Sequence, residues 1–339
     1  SAGGAEKWHS GMLPHAGPRT RTWRTVLALG SELASLHELA GARTAADVAI
    51  VLDWNSWWAL ELDSRPSTTL SLVAIIKQWY APLWERGFSI DFVHPEDDLA
   101  RYPLVLVPQL YLTTDAAGQS VIDAAHAGST VVVGFFSGAV DQDDHVRTGG
   151  YPAQWQDLLG LWVEEYRPLL STATLPLRPT ESSDLAVRAS ASQWSEHVHT
   201  VAAEPVLSYV GGDLDGLAAV TRHRLPDGGT AWYLSTTLDA DTRAAPLRSI
   251  AEAAGARPVL EVEPPAGLEV ARRDTDGASF LFLLNHRSDD VPVDLATGDV
   301  LGEPVWLHLP DHEPAAARVV VPSGDVVILV AYHERTSDS

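Results

Sequence analysis

The chain has 339 residues, 45% hydrophobic and 20% charged, which suits two to three globular domains and excludes a disordered polymer. Its formal net charge of −22 argues against nucleic acid or an anionic membrane surface as partner, because both need Lys and Arg against phosphate. It holds no cysteine, which removes disulfides, thiolate metal sites and a Cys nucleophile. Only Lys7 and Lys77 of the 23 basic residues are lysines, so the cationic side is almost wholly Arg. No run of about 18 apolar residues exists, so no membrane-spanning helix is expected.

In chain order, Gly4-Ala5-Glu6-Lys7-Trp8-His9 comes first. Glu6 and His9 stand three apart and share a face if the segment turns helically, so both can point into one pocket. Thr22–Leu39 reads as an amphipathic helix, with Trp23, Val26, Leu27, Leu33, Leu36 and Leu39 near helical spacing and Gly41 ending it. The cluster Asp53-Trp54-Asn55-Ser56-Trp57-Trp58 again puts carboxylate, amide and indole together. Two readings fit these aromatic and polar segments. Indole faces can cover the C–H face of a pyranose while carboxylate and imidazole take its hydroxyls. Equally, 12 Trp can be core and interface residues.

From Asp47 the pattern changes to short apolar strands (Val48–Leu52, Ser89–Val93, Leu104–Val107, Thr130–Phe135) separated by helices over Leu70–Arg86 and Ala116–Ala127. Such alternation predicts a doubly wound parallel sheet. Thr230–Ser235 adds a strand and Asp241–Ala254 a closing helix, while about 170–225 reads as an antiparallel insertion. Pro264-Pro265 and Gly267 mark a boundary. Beyond it, Leu268–Arg273, Ser279–Asn285, Val291–Leu295, Val305–Leu309, Arg318–Val321 and Asp325–Val330 predict a small antiparallel β-domain.

Little else carries chemistry. Gly134-Phe135-Phe136-Ser137-Gly138 follows a strand like a nucleophile elbow, but Gly-x-Ser-x-Gly would need Ser at position 136, which is Phe136. His94, His126, His145 and His197 are dispersed, and His197-Val198-His199 reads as a solvated alternation. The acidic runs Glu96-Asp97-Asp98 and Asp141 to Asp144 lack the spacing of a calcium loop. Neither a metal nor a cofactor is expected.

Four segments carry a resemblance. Gly4 to His15 resembles the end of the catalytic barrel of family 42 β-galactosidases, and Leu52 to Ser64 the opening of the trimerisation domain that follows it. Gly134 to Pro152 fits the same domain, and Phe280-Leu281-Phe282-Leu283-Leu284-Asn285-His286 resembles the small C-terminal β-domain. The resemblance implies an α/β chain in three parts. Residues 1–44 would be the last βα loop and helix of a (β/α)8 barrel. Residues 45–258 would be a flavodoxin-like or class I amidotransferase-like trimerisation domain, and 259–333 the C-terminal β-domain. It implies a C-terminal half of a retaining enzyme that cleaves terminal β-D-galactosides, with Glu6 and His9 binding galactose hydroxyls. Both catalytic carboxylates would lie upstream, so none is assigned in this chain. The expected partners are a β-galactoside and two further copies in a homotrimer, and a cytoplasmic location is expected. Two other readings remain: a non-catalytic oligomerisation or carbohydrate-binding module, and an amidotransferase-like hydrolase, which the missing cysteine disfavours.

Overall fold

The computed structural model describes residues 3–8, 11–185, 189–240, 242–295, 306–309 and 311–333. It divides into two compact units, residues 46–269 and residues 1–45 together with 270–339. Among the described residues no helix is long and apolar enough to cross a membrane.

Helix α1 (Arg21–Ser35) is capped by Thr20, whose hydroxyl accepts from Trp23 N at 3.3 Å. The sequence predicts one helix to Leu39, but the α-helix ends at Ser35. Leu36 N–H bonds back only to Leu33 O, and a 3-10 turn follows over His37–Leu39. No residue of α1 is buried, and Leu27, Leu29 and Leu33 are each more than half exposed.

The 46–269 unit opens with β1 (Val48–Val51), α2 (Trp54–Leu60), α3 (Leu72–Arg86), β2 (Ile90–Val93), β3 (Leu104–Val107), α4 (Asp115–His126) and β4 (Thr130–Gly134). It continues through α5 (Gln156–Leu159), β5 (Leu161–Pro168), β6 (Thr174–Pro179), β7 (Ala189–Ser192), β8 (Trp194–Thr200) and β9 (Glu204–Tyr209). β10 (Ala218–Arg224), β11 (Thr230–Leu234), β12 (Thr237–Leu238) and α6 (Ala244–Ala253) complete it. Among the described residues ten of these strands form one sheet, in the order β12-β7-β6-β9-β10-β11-β4-β3-β1-β2.

From β2 to β11 neighbouring strands are parallel. That half has the 2-1-3-4-5 order of flavodoxin-like folds. Past β11 every pairing is antiparallel. The sheet is therefore mixed, with the antiparallel insertion expected over about 170–225 continuing the parallel half as one sheet. The inserted strands add to the free edge of β11, which leaves fewer backbone groups unpaired than a detached module would. β5 and β8 stand apart as an antiparallel ribbon.

The strand period of two sorts the core into layers. Val48, Ile50, Leu104, Leu106 and Val132 pack with Ile75, Trp79 and Leu83 of α3 and Leu247 and Ile250 of α6. The intervening Ala49, Val51, Val105, Val107, Val131 and Val133 pack with Val121, Ala124 and Ala125 of α4. Strands buried on both faces must read as unbroken apolar runs, and these do.

Chiefly in the other unit, β13 (Leu268–Asp274), β14 (Ala278–Asn285), β16 (Leu307–His308) and β18 (Val326–Tyr332) form a sheet ordered β13-β14-β18-β16. β15 (Val291–Asp294) and β17 (Arg318–Val321) pair antiparallel beside it. The strand expected over Val305–Leu309 is present as Leu307–His308, and Val305 lies outside the described residues. Leu39 and Ala42 pack against Ala278, Phe280 and Val330, and Arg43 exchanges backbone hydrogen bonds with Asp274. These contacts place the N-terminal segment in the same unit as the β-strands.

Candidate functional site

Glu6 lies in an exposed turn that includes Trp8, 82% exposed, and is closed by a 2.5 Å hydrogen bond between His15 Nε2 and Lys7 O. His9 lies outside the described residues, so the pairing of Glu6 with His9 has no described geometry.

The Asp53–Trp58 cluster is described in full. Asp53 follows β1 and caps α2, its carboxylate accepting from Asn55 N at 3.2 Å and Ser56 N at 3.1 Å. Buried Ser56 accepts from Leu112 N at 3.1 Å. Ser56 therefore ties the chain after β1 to the chain after β3, and Asp53 holds the turn that presents it. Trp57 is half-buried against the core, whereas Trp54 and Trp58 are 56% and 64% exposed. A cavity of about 370 Å³ opens beside Trp58 at the carboxyl ends of β1, β2 and β3, lined also by Asn55, His94, Glu96, Thr114 and Gln142. This is the edge where doubly wound sheets bind ligands. Thr114 donates to Glu96 at 2.6 Å across it.

The turn after β4 has an elbow's backbone without its chemistry. Phe136 sits at φ 59°, a left-handed conformation that is costly for a bulky side chain. Ser137 is buried, with its hydroxyl accepting from Leu110 N at 3.1 Å, so it is a structural tie. The Phe136 ring instead lines a second cavity of about 180 Å³ with Tyr111, Tyr151 and Tyr166.

Beneath that turn lies a group for which the sequence gives no signal. Glu196 of β8 is buried and accepts from Trp194 Nε1 at 2.9 Å, from the Tyr233 hydroxyl at 2.7 Å and from the Phe136 backbone N–H. The three donors favour the anion, but burial outweighs them and pushes the carboxyl up to about 8. Tyr209, bonded to Ser235 Oγ at 2.8 Å, and Tyr233 are raised in turn, first by burial and with Glu196 adding to it. In Trp194-Ser195-Glu196-His197 the Glu looks like any residue of an alternating strand.

Among the described residues, Asp141, Asp143 and His145 offer ligand atoms within 4.8 Å of one another. Asp141 Oδ1 already accepts from Asp143 N at 2.9 Å and His145 N at 3.0 Å, so the group reads as a loop clasp.

Comparisons with known proteins bear on the whole chain. The family model described as the β-galactosidase trimerisation domain matches residues 46–257. A β-galactosidase from Arthrobacter sp is 42% identical over 302 residues, 89% of this chain and 42% of that protein. One from Heyndrickxia coagulans is 39% identical, over 84% of this chain and 42% of its own length. The crystal structure of the β-galactosidase from Bacillus circulans sp. alkalophilus superposes with a TM-score of 0.90 at 30% identity, covering 98% of this chain and 48% of that one. The chain thus spans less than half the length of these relatives. With more than half of its residues matched by that model, the chain belongs to the β-galactosidase trimerisation-domain family.

Proposed function

We propose that the chain is the C-terminal half of a retaining family 42 β-galactosidase, which releases terminal β-D-galactose from β-D-galactosides. The observation that carries this reading is the family match over residues 46–257 joined to relatives named β-galactosidase over most of the chain. Residues 1–44 are then the end of the catalytic barrel, 45–258 the trimerisation domain and 259–333 the C-terminal β-domain. The uncovered apolar residues Leu29 and Leu33 of α1, four positions apart on one face, support the first of these, because a barrel's outer helix buries such a face against its strands. The exposure of Glu6 is likewise what a subsite residue has when the opposite wall comes from elsewhere in the enzyme.

In this reading Glu6 and His9 bind galactose hydroxyls, and the two carboxylates required for retention come from the preceding barrel strands. Replacing Glu6 by Ala in the whole enzyme removes charge-assisted hydrogen bonds worth roughly 1.5–3 kcal/mol each. The expected loss in kcat/KM on a nitrophenyl β-galactoside is about ten- to a hundred-fold or more, with weaker inhibition by galactose. Unchanged kinetics in a folded Glu6→Ala enzyme would show that Glu6 does not bind the sugar.

The 46–269 unit is proposed to assemble the homotrimer. Six aromatic residues within 31 positions are candidate anchors: Trp79 is buried in the core, Trp57, Tyr80 and Trp84 are half-buried, and Trp54 and Trp58 are exposed indoles able to fill a desolvated patch. A charge of −22 per chain opposes association, so the trimer should persist or tighten as salt screens it. Light scattering on the 339-residue chain should give a mass near three chains at both low and high salt. A monomer at micromolar concentration refutes this assignment.

A further inference from the structure

The cavity over the elbow has the makings of a site in its own right. Tyr111, Phe136, Tyr151 and Tyr166 form its aromatic walls. Their rings are set at angles to one another: Phe136 to Tyr166 at 67° and 5.5 Å, Tyr151 to Tyr166 at 62° and 5.9 Å, and Tyr111 to Phe136 at 34° and 5.1 Å. Asp144 also lines it, close enough to the Tyr111 phenol that, after burial, its carboxylate helps hold that phenol above its ordinary value.

Two backbone observations point the same way. Among the described residues only four non-glycine residues have positive φ, and two of them, Phe136 at 59° and Asp144 at 62°, put their side chains on this one cavity. Backbone strain of this kind costs of order 1–3 kcal/mol per residue and gathers where a side chain must be aimed. The cavity also lies past the carboxyl ends of β3 and β4, since Tyr111 follows one and Phe136 the other, on the edge where such sheets hold ligands.

The lining chemistry selects the ligand class. Arg65 belongs to the same wall, but its guanidinium donates to the backbone carbonyls of Glu61, Leu62, Ser67 and Thr68 and so turns back on its own loop. With one Arg and one Asp the cavity is near neutral, which disfavours a free cation despite the ring cage. A wholly apolar ligand would desolvate the Asp144 carboxylate and the phenol hydroxyls without giving them new partners. The volume is below the roughly 300–1,000 Å³ of drug-sized sites, so it suits a single small ring. A neutral pyranose has what remains: a C–H face for the rings and hydroxyls for Asp144 and the phenols.

We propose that the cavity bounded by Tyr111, Phe136, Tyr151, Tyr166 and Asp144 is a monosaccharide-binding site, separate from the subsite assigned to Glu6 and His9. Asp144 accepts from two sugar hydroxyls, the Tyr111 hydroxyl orients that carboxylate, and the rings cover the sugar's apolar face. The site does not depend on the galactosidase reading, because each of its residues lies in the 46–269 unit.

The test is calorimetric titration and saturation-transfer NMR on the 339-residue chain with methyl β-D-galactopyranoside, methyl β-D-glucopyranoside and tetramethylammonium. Saturable millimolar binding of at least one glycoside is expected, weakened about tenfold or more by Asp144→Asn and by Tyr111→Phe. Asn tolerates the left-handed backbone at position 144, and Tyr111→Phe removes one hydroxyl, so thermal midpoints near wild type should accompany both losses. If one variant unfolds, the other decides. Absence of saturable glycoside binding, binding indifferent to both substitutions, or preference for tetramethylammonium each overturns the assignment. Failure here leaves the Glu6 kinetics of the whole enzyme untouched, so the two readings fall separately.

Discussion

Gly134→Ala should lower the stability of the 46–269 unit by about 3 kcal/mol or more, enough to move its thermal midpoint by roughly 6–12 °C or to abolish soluble expression. Gly134 ends β4, and a Cβ there would stand 2.0 Å from Pro108 O and 2.9 Å from Pro108 C, with Trp79 Cζ2 at 3.2 Å. The obstacle is backbone, so no side-chain rotation relieves it. Relief requires the chain after β3 to move away from β4, which strains the pairing of Val107 with Val133 and of Leu234 with Gly134. Gly30, inside α1, makes the contrast. Nothing lies within 4 Å of its Cβ position, and Gly30→Ala should stabilise that helix by about 0.5–1 kcal/mol through lost chain entropy alone. Differential scanning calorimetry on both variants checks the pair, and an unchanged midpoint for Gly134→Ala would mean that β3 and β4 are not so closely apposed.

The same packing explains what the sequence could and could not reveal. β1, β3 and β4 are buried on both faces, so each is an unbroken apolar run and its limits are legible to within a residue or two. β5 is not legible in this way. A register shift between Val163 and Tyr166 breaks its period of two, and its partner β8 begins about 26 residues after β5 ends, a pairing no local pattern announces. The addition of β10, β9, β6 and β7 to the edge of β11 is likewise a tertiary outcome. The role proposed for Glu6 rests on the family resemblance, because an exposed turn carries little pattern of its own. The role of Asp53 as the cap of α2 follows from the residues themselves once β1 is known to end before it. Phe136 shows the opposite case. The Gly-x-Ser-x-Gly pattern fails at this turn for lack of a nucleophile, yet the strained backbone that defines an elbow is present and carries a ring instead. Tyr111, Asp144, Tyr151 and Tyr166 are spread over 55 positions of sequence, and only the fold gathers them.

Stability between pH 5 and 8 should fall with rising pH because of Glu196, and Glu196→Gln should remove most of that slope. The carboxyl ordinarily titrates at 4.5, and burial among Trp194, Tyr233 and Tyr209 pushes it up to about 8 in the folded protein. Below the unfolded value both states hold the proton, and the contribution is complete. Between 4.5 and about 8 the unfolded chain releases its proton while the folded one keeps it, so stability drops by up to about 1.4 kcal/mol per pH unit. Above about 8 both states are ionised and the slope vanishes. Across the window the loss sums to roughly 5 kcal/mol, large against a typical stability of 5–15 kcal/mol. The depressed carboxyls of Asp184, held by Arg222, and Glu204, held by Arg222 and Arg224, act in the reverse sense. Their contribution is lost as pH falls below the ordinary carboxylate range, outside this window. Gln keeps an acceptor for Trp194 or Tyr233 and cannot ionise, so the difference between wild type and variant cancels every other titrating group. Urea unfolding at pH 5, 6, 7 and 8 should show the Gln variant gaining on wild type by about a kilocalorie per mole with each step. Curves that stay parallel across the four pH values would mean that Glu196 is already ionised in the folded protein, with the donors from Trp194, Tyr233 and Phe136 outweighing its burial.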